Sequence, residues 1–515
     1  MTEPCLNILD GYGRKIPITT AVALYEGAAT GRRMNTWGTS TAGPTSSVFS
    51  SLNTLRSRTR ELIRNNPLVD GGVDSYVANI IGSGICPRWQ FENPELKAAL
   101  QQLWDDWVDE SDFNGQLNFY GQQSLICRGL IDAGESITRF VPRPSNIGLA
   151  VPLQIQLLEA DHLDESYNTI APNGNEVRFG KEIDADGRCV AYWLFREHPG
   201  EHFLMNRNFG DRIRVPAYDA ADAKGGGIVH VFKPVRAGQM RGRPWLASII
   251  VRLREIDLYT DAELVRKKTA ALFGGFITET NITGDPSLYF GKKDSDDSEG
   301  RDVIALEPGT FPVLPRGMDV KFSQPADVGQ TYEVWIKQQL RDIARGAGWT
   351  YEQLTGDLSG VNYSSIRVGL LEFRRRVEQL QREILAFQFC RVVSHVWLDA
   401  VVLNNILPLP GYFQNRRVYR RIKWRPDGWP WVDPVKDQLA EQMAVRNGFK
   451  SRAQVIAERG GDIETVDREI AEDNERADQN GLIYDSDPRH TAKSGAIQKA
   501  TDSALTDSLF PKEGD

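Results

Sequence analysis

The sequence lacks the features that mark exported, membrane-spanning and disulfide-bonded proteins. No window of it approaches the roughly 18 consecutive apolar residues that a spanning helix needs. Its first residues, MTEPCLNILDGYGRK, lack the basic-then-apolar order of a signal peptide. The five cysteines form no Cys-x-x-Cys pair, which predicts reduced thiols rather than a disulfide frame. We therefore expect neither export nor contact with a membrane.

Motifs of catalysis and metal binding are also missing. His198 and His202 have the spacing of a zinc-binding helix, but a Pro-Gly pair between them prevents that helix. The acidic run at 294–300, DSDDSEG, is similar to a calcium loop, yet its glycine comes one position late. The glycine-rich stretches at 225–227 and 346–348 lack the Gly-Lys-Ser/Thr of a phosphate-binding loop. These absences predict that the chain is not an enzyme and holds no metal or cofactor.

A basic excess is absent as well. The chain has 61 Lys and Arg against 69 Asp and Glu, which gives a net charge of −8. Tight binding of a nucleic-acid backbone normally requires an excess of positive charge. The charge therefore argues against a protein that grips nucleic acid, although it is compatible with one along which nucleic acid slides.

What the sequence does contain is one long helical pattern that follows a loop of small residues. Apolar residues recur at alternating spacings of four and three from Ile366 onwards, which places them on one face of a helix. If this helix continues to about Val402, it holds roughly 39 residues and spans roughly 58 Å. The members of this apolar seam are Ile366, Leu370, Phe373, Val377, Leu380, Ile384 and Phe387.

The remainder of the chain alternates between helical and strand patterns. Two helices are predicted between Leu52 and Ile85, with a break at Asn66-Pro67 because proline disfavours helix in the residue before it. Trp104 and Trp107 lie on the apolar side of a further helix, where we expect them to be core residues. Short strand patterns separated by Gly, Pro, Asn and Asp follow, so the predicted fold class is α+β.

Two more amphipathic helices flank a segment of short strands and turns. The first, at about 246–272, has one narrow apolar stripe and charges on most other positions, which suits a helix beside copies of itself. The second runs from about 329 to 345 and leads into the loop before the long helix. Beyond the long helix, residues 416–432 are predicted to form a strand pair with its turn at Pro426-Asp-Gly.

The run YEQLTGDLSGVNYSSIR, followed by an arginine-rich amphipathic helix, resembles the tunnel-loop region of lambda-type phage portal proteins. The run RNNPLVDGGVDSYVANIIGSGI resembles the N-terminal helix pair of the same family. The resemblance covers roughly residues 25 to 480, and the order helix, strand-rich insert, helix, loop, long helix is its most specific feature. It implies these segments: flexible arm 1–50, α+β wing 51–245, first stem helix 246–272, clip 273–327, second stem helix 328–348, tunnel loop 349–363, long wing helix and returning strands 364–432, helical crown 433–482 and disordered tail 483–515.

The resemblance also implies a function and a set of partners. It implies a dodecameric ring at one capsid vertex of the virion, assembled in the host cytoplasm, through which double-stranded DNA enters during packaging and leaves during ejection. The implied partners are the terminase large subunit, the major capsid or scaffold protein, and head-completion, adaptor and tail proteins. The loop expected to project into the channel comprises Thr355, Gly356, Asp357, Leu358, Ser359, Gly360, Val361, Asn362 and Tyr363.

Two basic clusters are candidates for contact with DNA phosphates inside such a channel. They are Arg266, Lys267 and Lys268 on the first stem helix and Arg374, Arg375 and Arg376 on the long helix. Helices commonly carry solvated or interhelical charges, so a purely structural role stays open for both clusters.

Two alternatives come from other classes of protein. One is a metal-dependent enzyme acting on nucleic acid, with dispersed carboxylates such as Glu159 and Asp161 at its active site. The other is a tail or adaptor ring protein. Metal-dependent hydrolysis by the purified protein would favour the enzyme, whereas the order of the helices and the chain length speak against the adaptor.

Overall fold

The structure is a computed structural model. It describes residues 12, 38–201, 211–219, 227–272, 276–279, 318–321, 331–360, 362–429, 434–484, 487 and 489. Most of the predicted arm, clip and tail, as well as His202, the acidic run 294–300 and the glycines at 225–226, lies outside these residues. Contacts divide the chain into one unit of Met1–Leu52 with Pro234–Arg241 and a second unit of Asn53–Lys233 with Gly242–Asp515.

Helices and strands both contribute to the described residues, which confirms the α+β fold class. The helices are α1 Ser46–Phe49, α2 Leu52–Asn65, α3 Pro67–Ile81, α4 Pro94–Val108, α5 Phe119–Asp132, α6 Ile250–Leu272, α7 Thr331–Ala347, α8 Tyr351–Thr355, α9 Tyr363–Leu380, α10 Arg391–Leu403, α11 Arg416–Tyr419, α12 Pro434–Arg446, α13 Arg452–Glu458 and α14 Ile463–Gln479. The strands are β1 Cys86–Trp89, β2 Glu135–Pro142, β3 Leu153–Leu158, β4 Thr169–Ile170, β5 Glu176–Arg178, β6 Lys181–Ile183, β7 Cys189–Phe195, β8 Arg212–Pro216, β9 Gly227–Phe232, β10 Phe276–Glu279, β11 Met318–Lys321 and β12 Ile422–Arg425.

The strands of the larger unit form antiparallel sheets. One has the order β3-β2-β9, and a meander has the order β4-β5-β6-β7-β8. Residues of β2 and β9 face the core, with Ile137 and Val231 fully buried. Two further pairs, β1-β12 and β10-β11, complete the described strands.

Asparagines begin three of the early helices. The side-chain oxygen of Asn66 accepts hydrogen bonds from the backbone N–H of Leu68 and Val69 at the start of α3. Asn93 and Asn118 cap α4 and α5 in the same way. Such caps satisfy backbone donors that have no partner within the helix. The predicted break at Asn66-Pro67 is confirmed, and Pro67 occupies the first helical position, where its missing N–H costs nothing.

The core of the larger unit is an aromatic cluster built around Trp397. The Trp397 ring stacks on Trp89 with centroids 5.8 Å apart and meets Trp104 edge-on at 5.1 Å. The ring centroids of Trp107 and Trp104 lie 5.0 Å apart, and Trp107 Nε1–H donates to the Leu153 carbonyl at 2.7 Å. All four indoles are buried, so the prediction that Trp104 and Trp107 are core residues is confirmed. The cluster joins α4, β1 and α10.

The predicted long helix is continuous from Tyr363 to Leu403, but its middle is not an α-helix. Residues Gln381–Cys390 form a π-helix, in which hydrogen bonds run from i to i+5. Two glutamines fasten this π segment to the rest of the unit. Gln381 Nε2 donates to the Ile80 carbonyl at 2.7 Å, and the Gln388 amide bonds both the N–H and the carbonyl of Phe232 at 3.2 and 3.1 Å.

The π segment changes which face of the helix is buried. Phe373, Val377, Leu380 and Ile384 are buried as the apolar seam predicts, whereas Phe387 is 56% exposed. The assignment of Phe387 to the seam is therefore wrong. The wider turns of a π-helix rotate later side chains away from the α-helical register, so that Phe389 and Cys390 point inward instead.

The described part of the predicted strand pair, residues 416–429, does not form a local pair of strands. Residues Arg416–Tyr419 are helical, and β12 pairs antiparallel with β1, with Cys86 opposite Arg425. The turn after β12 binds Ser83, which lies between α3 and β1. The Asp427 carboxylate accepts hydrogen bonds from Ser83 N–H at 2.5 Å and from Ser83 Oγ–H at 2.6 Å. A partner strand distant in sequence thus replaces the local one.

The smaller unit is held by a short set of hydrogen bonds. Thr45 Oγ1 donates to the Gly238 carbonyl at 3.3 Å and accepts from the Met240 N–H at 3.2 Å. Arg236 Nη1 donates to the Ala42 carbonyl at 3.2 Å. Residues 42–45, inside the segment predicted to be a flexible arm, are therefore tied to a distant loop.

Among the described residues, one helix is long and apolar enough to cross a membrane. It is Ile366–Leu403, and 78% of its most apolar stretch is buried inside the protein. A helix that is mostly buried inside the protein is typical of a protein core.

Val377→Asp tests the apolar seam. Val377 is completely buried, so the substitution places an unpaired charge in the core and should destabilise the protein by at least about 4 kcal/mol. Soluble yield and the thermal unfolding midpoint measure the effect. The control is Val368→Asp on the same helix, where the side chain is 68% exposed and the change should cost less than about 1 kcal/mol. Equal behaviour of the two variants would contradict the seam.

Candidate assembly and channel surfaces

Helices α6 and α7 form an antiparallel pair. Arg252 Nη1 lies 2.6 Å from Asp342 Oδ2 near one end, and the rings of Tyr259 and Trp335 are 4.9 Å apart further along. The first predicted helix begins later than expected, because Trp245–Ser248 form a 3-10 turn before Ile250.

The apolar stripe predicted to face copies of the chain is instead largely buried within one chain. Leu246, Ile249, Ile250, Leu253 and Ile256 are between 1% and 8% exposed. Ile249 packs so closely on Gly346 of α7 that a side chain at Gly346 would collide with it. The second helix covers the stripe because the chain returns antiparallel to the first.

A second set of apolar residues lies on the opposite face of α6. Val251, Leu258 and Val265, here called the outer stripe, are 70%, 48% and 60% exposed. Their spacing of seven places them above one another on a helix. Val334 on α7 is 71% exposed as well. An aligned row of exposed apolar side chains marks a surface that binds another surface.

The first basic cluster is mostly paired within its own helix. Arg266 donates from Nε and Nη2 to both carboxylate oxygens of Glu263, at 2.8 and 2.6 Å. Lys267 lies 3.9 Å from Glu263 Oε1 and over the Tyr332 ring. Lys268 is exposed. Lys268 is therefore the member of this cluster most open to a ligand.

The second basic cluster has the same mixture of packed and exposed members. The Arg374 guanidinium lies 5.1 Å from the centre of the Trp429 ring, and partial burial lowers its pKa. Arg376 packs against Gly348, whose φ of 91° and lack of a side chain allow that approach. Arg375 is exposed.

The loop before the long helix is more ordered at its start than the sequence analysis predicts. Residues Tyr351–Thr355 form α8, and Thr350 and Gln353 form a reciprocal capping box. The Thr-x-x-Gln spacing at 350–353 is the signal in the sequence that marks the start of this helix. Gly356, with φ 68°, ends this helix in the left-handed conformation.

Asp357 organises the loop that follows. Its carboxylate accepts from Ser359 Oγ–H at 2.5 Å, from Ser359 N–H at 3.0 Å and from the Tyr351 hydroxyl at 3.2 Å. The Ser359 hydroxyl contributes most to lowering the Asp357 pKa. Lys337 lies 3.8 Å away, while Leu358 is 64% exposed. Val361 lies outside the described residues, and Tyr363 begins the long helix.

The carboxylates of the predicted enzyme alternative meet a histidine. One side-chain ligand atom from each of Glu159, Asp161 and His198 lies within 4.8 Å of the others, as a metal site would require. However, Arg60 Nη2 already lies 3.1 Å from Glu159 and 2.7 Å from Asp161, and Arg56 lies 3.4 Å from Asp161. Two guanidinium groups neutralise the carboxylates and oppose a cation, so these residues do not fit a metal ion.

The charge cluster also perturbs a neighbouring aspartate. Asp132 is half-buried beside Arg60 and Glu159, and its partial burial is the main cause that raises its pKa to about 6. Asp132 Oδ1 has no hydrogen-bond partner among the described residues. For Asp161 the Arg60 hydrogen bond and nearby positive charges outweigh burial and lower its pKa.

The described residues define an α+β protein in which α6 and α7 pair and α6 carries a row of exposed apolar side chains. A family profile described as "Phage portal protein, lambda family" matches residues 30–381, so the chain belongs to this family of portal proteins. Members of this family are structural proteins, not enzymes, and the enzyme alternative is therefore wrong.

Individual relatives agree with this assignment. The "Probable portal protein" of Halomonas phage phiHAP-1 is 29% identical over 482 residues, covering 91% of this chain and 89% of that protein. Portal protein B of Escherichia phage lambda is 19% identical, covering 85% of this chain and 87% of that protein. The solved structure "Neck of empty GTA particle computed with C6 symmetry" covers 78% of this chain and 93% of its own, at 16% identity and a TM-score of 0.49. Because that score is low, the assignment rests on sequence.

Asp132→Asn tests this half-buried carboxyl. The folded-state pKa of about 6 lies above the ordinary value of 3.8, so the stability that protonated Asp132 contributes is present below about pH 4 and is lost as pH rises through 6. Asparagine cannot ionise, so the variant should gain stability relative to wild type over this range, by at most about 3 kcal/mol. The difference in unfolding midpoint at pH 4, 5 and 7 measures it.

The control for this measurement is Asp109→Asn, which changes an exposed carboxyl of the same unit. A gain of equal size in the control, or no gain at Asp132, would contradict the role of burial.

Proposed function

We propose that the chain assembles into a dodecameric ring at one vertex of a phage capsid, in the virion, after assembly in the host cytoplasm. Double-stranded DNA passes through the ring during packaging and ejection. The observation that carries this proposal is the outer stripe on α6. A ring places the same helix of each copy beside the next, and repeated contact of this kind covers an apolar row that a single chain leaves in water.

The family pattern suggests how the segments divide the work. In this proposal the stem helices wall the channel, the clip binds the terminase large subunit and later the head-completion, adaptor and tail proteins, and the wing and crown meet the capsid or scaffold protein. The proposed segments are wing 51–245, stem 246–272 and 328–348, clip 273–327, tunnel loop 349–363, long wing helix and returning strand 364–432, and crown 433–482.

Only part of each basic cluster is assigned to the channel. Arg266 and Arg374 already bond or pack within the chain, so their charges are partly committed. Lys268 and Arg375 are exposed, and these two are the members we propose to meet DNA phosphates. With only these two members of the basic clusters assigned to phosphate, the clusters would contact passing DNA weakly and allow it to slide.

The loop from Thr355 to Tyr363 is proposed to touch DNA sterically. Its one charged residue is Asp357, which repels phosphate, and Leu358 presents an exposed apolar side chain. The bonds from Tyr351 and Ser359 to Asp357 hold the base of the loop, which leaves its tip as the part that meets DNA.

Leu258→Asp tests assembly through the outer stripe. A charge in the centre of the stripe should reduce ring yield at least tenfold while the chain stays folded, since the side chain is already 48% exposed. Negative-stain images and mass measurement of the purified protein count the rings. Leu125→Asp is the matched control, because Leu125 is also 48% exposed and belongs to α5, which is not one of the two proposed stem segments. Equal ring yield in both variants would overturn the proposed contact.

Deletion of residues 357–361 tests the loop. Rings should form at the wild-type yield with an unchanged unfolding midpoint, because α8 and the long helix stay intact, whereas particles should lose most of their packaged DNA. A companion variant replaces residues 357–361 with the same number of Gly and Ser residues, which removes the Asp357 hydrogen bonds but keeps the length of the loop. Absence of rings after the deletion, or an unchanged DNA content, would contradict a channel role.

A further inference from the structure

A groove of about 510 Å³ lies between the π segment and strand β12. Its walls are contributed by consecutive turns of the long helix on one side and by residues 422–426 on the other. The apolar part of the lining consists of Ile85, Ala386, Phe387, Ile422, Trp424 and Pro426.

The π segment is what opens this groove. The bonds of Gln381 to Ile80 and of Gln388 to Phe232 fix the segment against the core. With that register fixed, Phe387 is turned outward and stays 56% exposed at the groove wall. A ten-residue π-helix is costly and rare, and such segments are frequent at functional sites.

The groove also carries an excess of positive charge. Its lining includes Arg382, Arg391, Arg420 and Lys423 against one acid, Glu378. Arg420 is neutralised by a two-pronged bond to Asp399, and Glu378 accepts from Trp429 Nε1–H at 3.1 Å. Arg382 and Lys423 are exposed, although Arg382 lies 3.8 Å from Glu383. An apolar floor flanked by cations suits a ligand with apolar anchors and carboxylates.

The Arg391 side chain keeps the aromatic wall in place. Its guanidinium lies 4.1 Å from the centre of the Phe387 ring, and its Nε–H donates to the Phe387 carbonyl at 3.0 Å. A ring held in this way loses little conformational freedom when a second apolar group packs against it.

A segment of the chain itself has the matching chemistry. Residues 490–515 lie outside the described residues, and within them the sequence DSALTDSLF runs from Asp502 to Phe510. As a helix, it would place Leu505 and Leu509 on one face, with Phe510 beside them. Asp502 and Asp507 supply two negative charges.

The described end of the chain is close enough for this segment to reach the groove. Asp462, before α14, lies 3.2 Å from Arg425 on β12. Helix α14 spans about 26 Å, and the chain then turns back so that Arg489 lies 3.4 Å from Asp478. Residues 490–501 can span up to about 40 Å when extended, which exceeds that distance.

We propose that the groove between the π segment and β12 binds the chain's own C-terminal segment, Asp502–Phe510. Leu505, Leu509 and Phe510 pack against Phe387 and Trp424, while Asp502 and Asp507 pair with Arg382 and Lys423. The segment covers the exposed Phe387 and anchors the end of the chain to the long helix.

Photo-crosslinking in the full-length protein tests the proposal. A benzophenone amino acid replaces Leu505, and peptide mass spectrometry maps its attachment after irradiation. We expect crosslinks to Phe387, Trp424 or their neighbours, in a band with the mass of one chain. Arg382→Glu with Lys423→Glu should reduce the yield at least fivefold, and adding Asp502→Lys with Asp507→Lys should restore it.

The control is the exposed Arg58→Glu, which should leave the crosslink yield unchanged. Three results would overturn the proposal: crosslinks that map outside the groove, a yield unaffected by the charge reversal, or a product with twice the mass of one chain. The last would identify the tail of a neighbouring copy as the occupant.

Discussion

The larger unit depends on one interaction, the burial of the second half of the long helix against the aromatic cluster around Trp397. Trp397 contacts Trp89, Trp104 and Trp107, which come from a strand and a helix distant in sequence. Phe389 stacks on Phe119 of α5 at 5.7 Å and extends the same cluster. Large aromatic surfaces of this kind supply much of the free energy that fixes how elements pack.

A regular α-helix could not bury both halves of this helix in the observed way, and the π segment makes that burial possible. The seam from Phe373 to Ile384 and the inward side chains Phe389 and Trp397 cannot all face the core at a constant α-helical register. Wider turns at Gln381–Cys390 change the register between them. The consequence is local, because Phe387 is turned outward to the groove while both halves of the helix stay buried.

Helices α6 and α7 separate two uses of apolar surface. One face of α6 packs against α7 and the core, and this packing stabilises the single chain. The other face carries the outer stripe, which is available for a second surface. The charges around Glu159 and Asp161 are likewise used within the chain, because Arg56 and Arg60 pair with both carboxylates as structural ion pairs do.

Local patterns determined much of this protein by themselves. The proline after Asn66 and the spacing of Trp104 and Trp107 are short-range signals, and each matches the structure. Features set by distant partners were decided only by the tertiary structure. Strand β12 pairs with β1 rather than with a neighbour, α7 covers the predicted stripe of α6, and the π segment follows from bonds to Ile80 and Phe232. Periodicity shows which residues share a face, but which face is buried depends on what packs against it.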